Sequence, residues 1–425
     1  MADLSQYSIL LILLMEVSCL TYLEYRAWKT LYTPLCALML PYLIVLLITI
    51  LIAGNFGFVA FNYDSLWVWI YGLPLFAIPS FTFAAYIRNN EHEVTAPVKE
   101  EKEALPRILL GISIIVIFLL LIKLYQTFKT GYYLFGTDDF ADDFSGHGFW
   151  AHVRTLLTPI IILSIYNVKK RQYWLWALIL LMLLIQIVNM VKGTIIIPII
   201  AAMLFRLYTQ KTRFNFRLIL FALIGGLLVF FLLYMILPLL GNGGEANMDL
   251  VEFVAKHFVH YFTSGTFGWS FDIDQGIPDQ NEFSYIVAPF VNIYHTITGQ
   301  ELISPVNHFY WNIGNTITTF TNVRTFFGTI YIYTDFIQFV TYTIMLSTFI
   351  YSWKVFALIS RNIYIYIIFF YYCSLLAMGW FEFYFFHLDA IEIPLFTLLF
   401  MWLAKLTASD KTNSNQEGKE VALVD

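Results

Sequence analysis

The sequence predicts an all-α protein: a polytopic transmembrane helix bundle of about eleven spans forming one integral membrane domain over residues 1–425. Three observations predict it. Of the 425 residues, 59% are hydrophobic and only 12% charged, about half the ~25% charge of a soluble domain. Apolar runs near spanning length recur from end to end, and mean hydropathy is +0.71. Lys and Arg are segregated into alternate connections. This composition excludes a soluble enzyme and a disordered scaffold, and the net charge of −5 offers no basic face for nucleic acid. Cys19, Cys36 and Cys373 all lie in apolar runs, so neither a disulfide framework nor a zinc site is indicated.

A spanning helix needs roughly 20 mostly apolar residues. The runs lie at 7–23, 33–53, 66–87, 108–128, 153–168, 172–191, 194–208, 218–240, 328–351, 362–379 and 390–406. The first reads as a span and not a cleaved leader, because Asp3 replaces a basic start and Glu16 sits mid-run. With the N-terminus outside and the C-terminus cytoplasmic, 18 of the 24 Lys and Arg residues face the cytoplasm, as the positive-inside rule requires. The connections then divide into a charged cytoplasmic linker at 88–107, an acidic outer loop at 129–152, a large outer loop at 241–323 and a cytoplasmic tail at 407–425. The two halves do not mirror each other, which weighs against a transporter of paired repeats. Function is therefore expected on the outer face.

Ionisable groups in or near a bilayer are costly and mark candidate sites. Arg154, Lys192 and Arg324 all fall at helix starts on the outer interface, where free N–H groups and the helix dipole already favour anions. Together they suit a phosphate or pyrophosphate; singly, each also fits snorkelling to headgroups. Asp335 reads as a carboxylate seven residues inside the span that follows the large loop, with Arg324 or Lys192 as its natural partner. It fits either a structural salt bridge or a general base.

Residues 250–262 read as an amphipathic interfacial helix carrying Lys256, His257 and His260. There His260 fits an acid–base role or a plain interfacial face. His295, His308 and Trp311 lie among aromatic and amide side chains. Such mixtures suit a glycan, because rings stack on a pyranose while amides bond its hydroxyls. They also fit an interfacial aromatic belt. Glu382, His387, Asp389 and Glu392 follow Gly379-Trp380 and offer a base facing the same cavity, or plain solvated acids. Asp138, Asp139, Asp142 and Asp143 read as a divalent-ion site or, more simply, a solvated patch. No phosphate-binding glycine loop or serine-nucleophile motif stands in a suitable context.

The span start V-K-G-T-I-I-I-P-I-I, the single large outer loop, and N-V-R-T-F-F-G-T-I-Y-I-Y-T-D-F at its return resemble the O-antigen and capsular polysaccharide repeat-unit polymerases of the Wzy type. Lys192-Gly193-Thr194 matches the basic-then-hydroxyl span start of that family, and Asn322, Val323, Thr325, Asp335 and Phe336 match its loop return, with Ile337 in place of the usual glycine. The resemblance implies a metal-independent, GT-C-like membrane glycosyltransferase without cofactor, in the bacterial inner membrane. Its donor and acceptor would be undecaprenyl-diphosphate-linked oligosaccharides, with a chain-length regulator as a possible partner and no nucleic acid. It further implies catalytic roles for Arg324, Asp335 and His260, pyrophosphate binding by Arg154, Lys192 and Arg324, and glycan contacts from Asn322, Thr325, His308 and Trp311. An O-antigen ligase uses the same donor and is the near alternative; a lipid-linked oligosaccharide flippase is the alternative from another class.

Overall fold

The computed structural model describes residues 4–90, 98, 105–130, 138–146, 148–188, 193–215, 225–226, 248–276, 282–304 and 309–421. The expected span at 218–240 and the residues Lys192 and His308 lie outside that set. The protein is a helical, multi-pass membrane protein. Six described helical stretches are long and apolar enough to cross a bilayer: Tyr7–Trp28, Pro34–Leu51, Tyr63–Asn89, Arg107–Thr130, Gly148–Asn167 and Phe336–Ser360. Tyr173–Val188, Gly193–Tyr208 and Ile363–Ala377 are apolar but shorter.

In chain order the helices used below are α1 (Leu4–Trp28), α2 (Pro34–Ile52), α3 (Trp67–Asn89), α4 (Arg107–Thr130), α5 (Gly148–Thr155), α6 (Leu157–Asn167), α7 (Tyr173–Val188) and α8 (Gly193–Tyr208). They continue with α9 (Met248–Gln275), α10 (Phe283–Ile286), α11 (Ala288–Thr298), α12 (Phe326–Tyr333), α13 (Phe336–Ser360), α14 (Ile363–Ala377) and α15 (Asp389–Val421). A two-stranded antiparallel hairpin, β1 (Trp311–Asn312) and β2 (Phe320–Thr321), precedes α12.

Helix α14 is the axis of the bundle. Every one of its residues is buried, as expected of a helix that is apolar on all sides, and α2, α8, α13 and α15 pack around it. Helices α3 and α13 form the broadest pairing, reinforced where Ser347 Oγ donates to the carbonyl of Phe76 at 2.5 Å. Beneath them Glu24 is fully buried and accepts from Ser80 Oγ at 2.6 Å and the Tyr351 hydroxyl at 2.5 Å. Lys354 lies 4.0 Å over the Trp28 ring in the same cluster.

Two expectations change here. The run at 328–351 is not one span: α12 ends at Tyr333, the backbone is extended at Thr334 and Asp335, and α13 starts afresh. Residues 250–262 are helical, but the helix continues to Gln275 and its second half is buried beneath the hairpin instead of lying on the surface. In the acidic loop, Asp143 pairs with Lys123 at 3.5 Å.

Candidate functional site

Residues expected to carry chemistry gather in two places. The first surrounds Arg324, between α9 and the start of α12. Both Arg324 and Asp272 are fully buried. The guanidinium closes on the Asp272 carboxylate through Nε and, at 3.0 Å, Nη2. Its remaining reach goes to backbone, with Nη1 donating to the Val323 carbonyl at 3.0 Å and Nη2 to that of Phe309 at 3.4 Å. The Trp311 indole N–H donates to the same Asp272 carboxylate at 2.5 Å. A buried charge pair persists only when its donors and acceptors are satisfied in this way.

Helix α9 supplies the close approach. A Cβ on Gly268 would lie 2.5 Å from the Val323 carbonyl oxygen, and one on Gly265 would lie 2.3 Å from that of Phe381. Neighbouring polar residues also serve the assembly. Thr325 is buried and accepts from the Trp69 indole at 3.3 Å, while Asn322 donates to the Tyr310 hydroxyl at 3.3 Å.

The partner of Arg324 is therefore Asp272, not Asp335. Asp335 is exposed and caps α13: its carboxylate accepts from the Gln338 N–H at 2.7 Å, and the Gln338 side chain accepts from the Asp335 N–H at 3.1 Å. This reciprocal box satisfies the free donors of a helix start, which is why an acid stands there. His260 is buried with Nε2 3.1 Å from the Phe320 carbonyl. It lies twelve positions before Asp272 on α9, about 18 Å along a helix at ~1.5 Å per residue, so it does not reach the Arg324 pair.

The second place surrounds Arg154. This residue is only 6% exposed, and its Nε and Nη1 find no hydrogen-bond partner among the described residues. It borders a cavity of about 80 Å³ whose wall includes Gln186, the α8 start at Gly193 and Thr194, His387 and Asp389. At ~30 Å³ per water, that volume holds two or three waters or one phosphoryl group of a diphosphate. The Gln186 carbonyl oxygen is likewise buried without a described partner. Gly193 permits the crowding, since a Cβ there would sit 3.1 Å from the Tyr384 ring.

Carboxylates lie around this cavity, and the charges of Asp389 and Glu392 act on Arg154. Asp389 accepts from Thr155 Oγ1 at 3.5 Å, and Glu392 is 2.7 Å from His152 Nδ1. His387 is 3.9 Å from Glu382. Burial disfavours a charged imidazole at His387, but the negative charges of Glu382 and Asp389 outweigh it and raise the proton affinity above the ordinary value.

One loop joins the two places. The Phe326 N–H, two residues past Arg324, donates to the Gly379 carbonyl at 2.7 Å, and the same loop ends at His387 on the Arg154 cavity. Of the residues expected to hold a pyrophosphate, Arg154 borders the cavity that the Gly193-Thr194 helix start also lines, Lys192 lies outside the described residues, and Arg324 is spent on Asp272. Asp272 escaped the sequence reading. Its signal was an acid in W-S-F-D, following the small-residue spacing of Gly265 and Gly268.

No curated protein and no solved structure matches the chain. A family model does match, over residues 57–410, a range that contains both the Arg324 pair and the Arg154 cavity. The chain belongs to that family, a family of unknown function (DUF6337).

Proposed function

We propose that this protein is a repeat-unit polymerase, a metal-independent, GT-C-like glycosyltransferase of about eleven spans in the bacterial inner membrane, with its N-terminus outside and its C-terminus cytoplasmic. It joins undecaprenyl-diphosphate-linked oligosaccharide units into O-antigen or capsular chains at the outer face, with a chain-length regulator as a possible partner. The observation that carries this reading is Arg154: a guanidinium withdrawn from water, its Nε and Nη1 without a hydrogen-bond partner among the described residues, beside the start of α8. Unbonded donors on a buried cation are costly, and a helix start with a cation is a ready anion site.

In this reading the hydroxyl oxygen of the acceptor sugar attacks the anomeric carbon of the growing chain. The bond from that carbon to the diphosphate oxygen breaks, and its electron pair leaves with the lipid diphosphate. Arg154 and the α8 N–H groups stabilise the charge developing there. The hydroxyl proton passes to His387, which Glu382 orients and makes more basic. Arg324 holds the loop and the hairpin in place through Asp272 instead of touching the diphosphate.

The test is chain extension from purified lipid-linked repeat units by the full-length protein. Long ladders that disappear with Arg154→Ala support the reading. Transfer of glycan to a lipid A core without extension would mark the ligase-type alternative.

A further inference from the structure

Helix α11 has a stripe of large apolar residues facing outward. Phe290, Ile293, Tyr294 and Ile297 follow the spacing i, i+3, i+4, i+7, which gathers them within about 100° of the helix surface. All four are exposed, Phe290 to 65% and Ile297 to 80%.

The opposite face is already used. Asn292 both donates to the Ile303 carbonyl and accepts from the Ile303 N–H, each at 2.8 Å, and His295 Nδ1 lies 2.6 Å from the Glu301 carbonyl oxygen. Gly299, at φ 69°, reverses the chain so that residues 300–303 fold back onto this polar side. A polar side bonded to its own following loop, with the apolar side turned out, is the reverse of what water selects.

Depth says what covers the stripe. Helix α10 ends two residues before α11 begins, and its Phe283 ring lies 5.9 Å from Tyr342. Tyr342 is six residues into the spanning helix α13, about 9 Å below its start at ~1.5 Å per residue. The helix pair therefore sits at the level of the membrane boundary. Phe336 and Ile337, the first residues of the spanning helix α13, are also exposed at 77% and 74%, so outward apolar side chains at this level already belong to the bilayer.

We propose that α11 is an interfacial anchor that lies flat in the headgroup layer, with Phe290, Ile293, Tyr294 and Ile297 inserted among the acyl chains. The anchor is tied to both sites. Tyr285 of α10 stacks on Tyr333, the last residue of α12, at 4.3 Å and meets Phe386, beside His387, at 6.1 Å. The inference stands independently of the polymerase reading.

The test is photo-crosslinking of the full-length protein in nanodiscs of phosphatidylethanolamine and phosphatidylglycerol carrying an alkyne tag. A benzophenone amino acid is placed in turn at Ile293, Ile297 and, on the polar side, Thr296. Lipid adducts at 293 and 297 with background at 296 are expected. Equal labelling at all three positions, or adducts to a second copy or another protein at 293 and 297, would overturn the proposal. The same measurement with Phe290→Asp present should show the adducts at 297 lost while the protein stays folded.

Discussion

Arg324 grips Asp272 across 52 positions of sequence, and with it the chain closes the hairpin and α12 onto α9. The pair is fully buried and its carboxylate also receives Trp311. Removing one partner of such a pair strands the other charge, at a cost of about 3–5 kcal/mol. Arg324→Ala and Asp272→Ala should therefore each lower the unfolding temperature in detergent and reduce folded yield. The double replacement Arg324→Met with Asp272→Leu should recover most of the loss. If Arg324→Ala kept its melting temperature, the pair would not be the brace described.

Glycine spacing on α9 gives a second prediction. A Cβ at Gly268 has the Val323 carbonyl 2.5 Å away, whereas one at Gly111, in the second turn of α4, meets nothing within 4 Å. Gly268→Ala should cost roughly 1–3 kcal/mol by overpacking, and Gly111→Ala should be neutral or stabilise by up to about 1 kcal/mol. Thermal unfolding of the two variants side by side checks both signs.

Asp335 separates a cap from a catalyst. As an N-cap it should tolerate Asn or Ser with little change and lose about 1 kcal/mol on replacement by Ala. Chain extension should persist in all three. An Asp335→Asn protein that is stable yet unable to extend chains would return this residue to the chemistry.

His387 gives a pH dependence. Its proton affinity is raised above the ordinary 6.5 because Glu382 and Asp389 outweigh burial, so the ring stays charged to a higher pH than a free histidine. Its charge adds to that of Arg154 on the cavity wall. Inorganic pyrophosphate should therefore bind best below that raised value and weaken as pH climbs through it. Turnover should move the other way, because only the neutral ring accepts a proton. The His387→Gln protein shares the titration of pyrophosphate itself, so the ratio of wild-type to variant affinity isolates the histidine. A ratio flat in pH would remove His387 from the cavity's electrostatics.

The helices were legible because apolar runs of near-spanning length have few other fates. Asp335 was misread although T-D-F-I-Q carries an acid and a glutamine three residues apart, the spacing of a capping box; reading 328–351 as one continuous span hid it. Asp272 was passed over because 241–323 was taken as a water-facing loop, where an acid calls for no explanation. Arg154 stood out, since a cation at a span start is costly. That two of its guanidinium nitrogens lack a hydrogen-bond partner among the described residues was not legible, because bonding depends on how α15 brings Asp389 and Glu392 alongside and on what else holds them.

Arg154 carries the account, and one comparison tests it most directly: chain extension and thermal stability of Arg154→Leu, measured on the same purified protein. A residue kept for its ligand and not for its fold should show opposite trends. Losing a buried charge whose Nε and Nη1 are unbonded among the described residues should leave the melting temperature unchanged or higher, while extension falls by on the order of 10²–10³. Ladders built at the wild-type rate by a folded Arg154→Leu protein would contradict the assignment of this cavity as the diphosphate site.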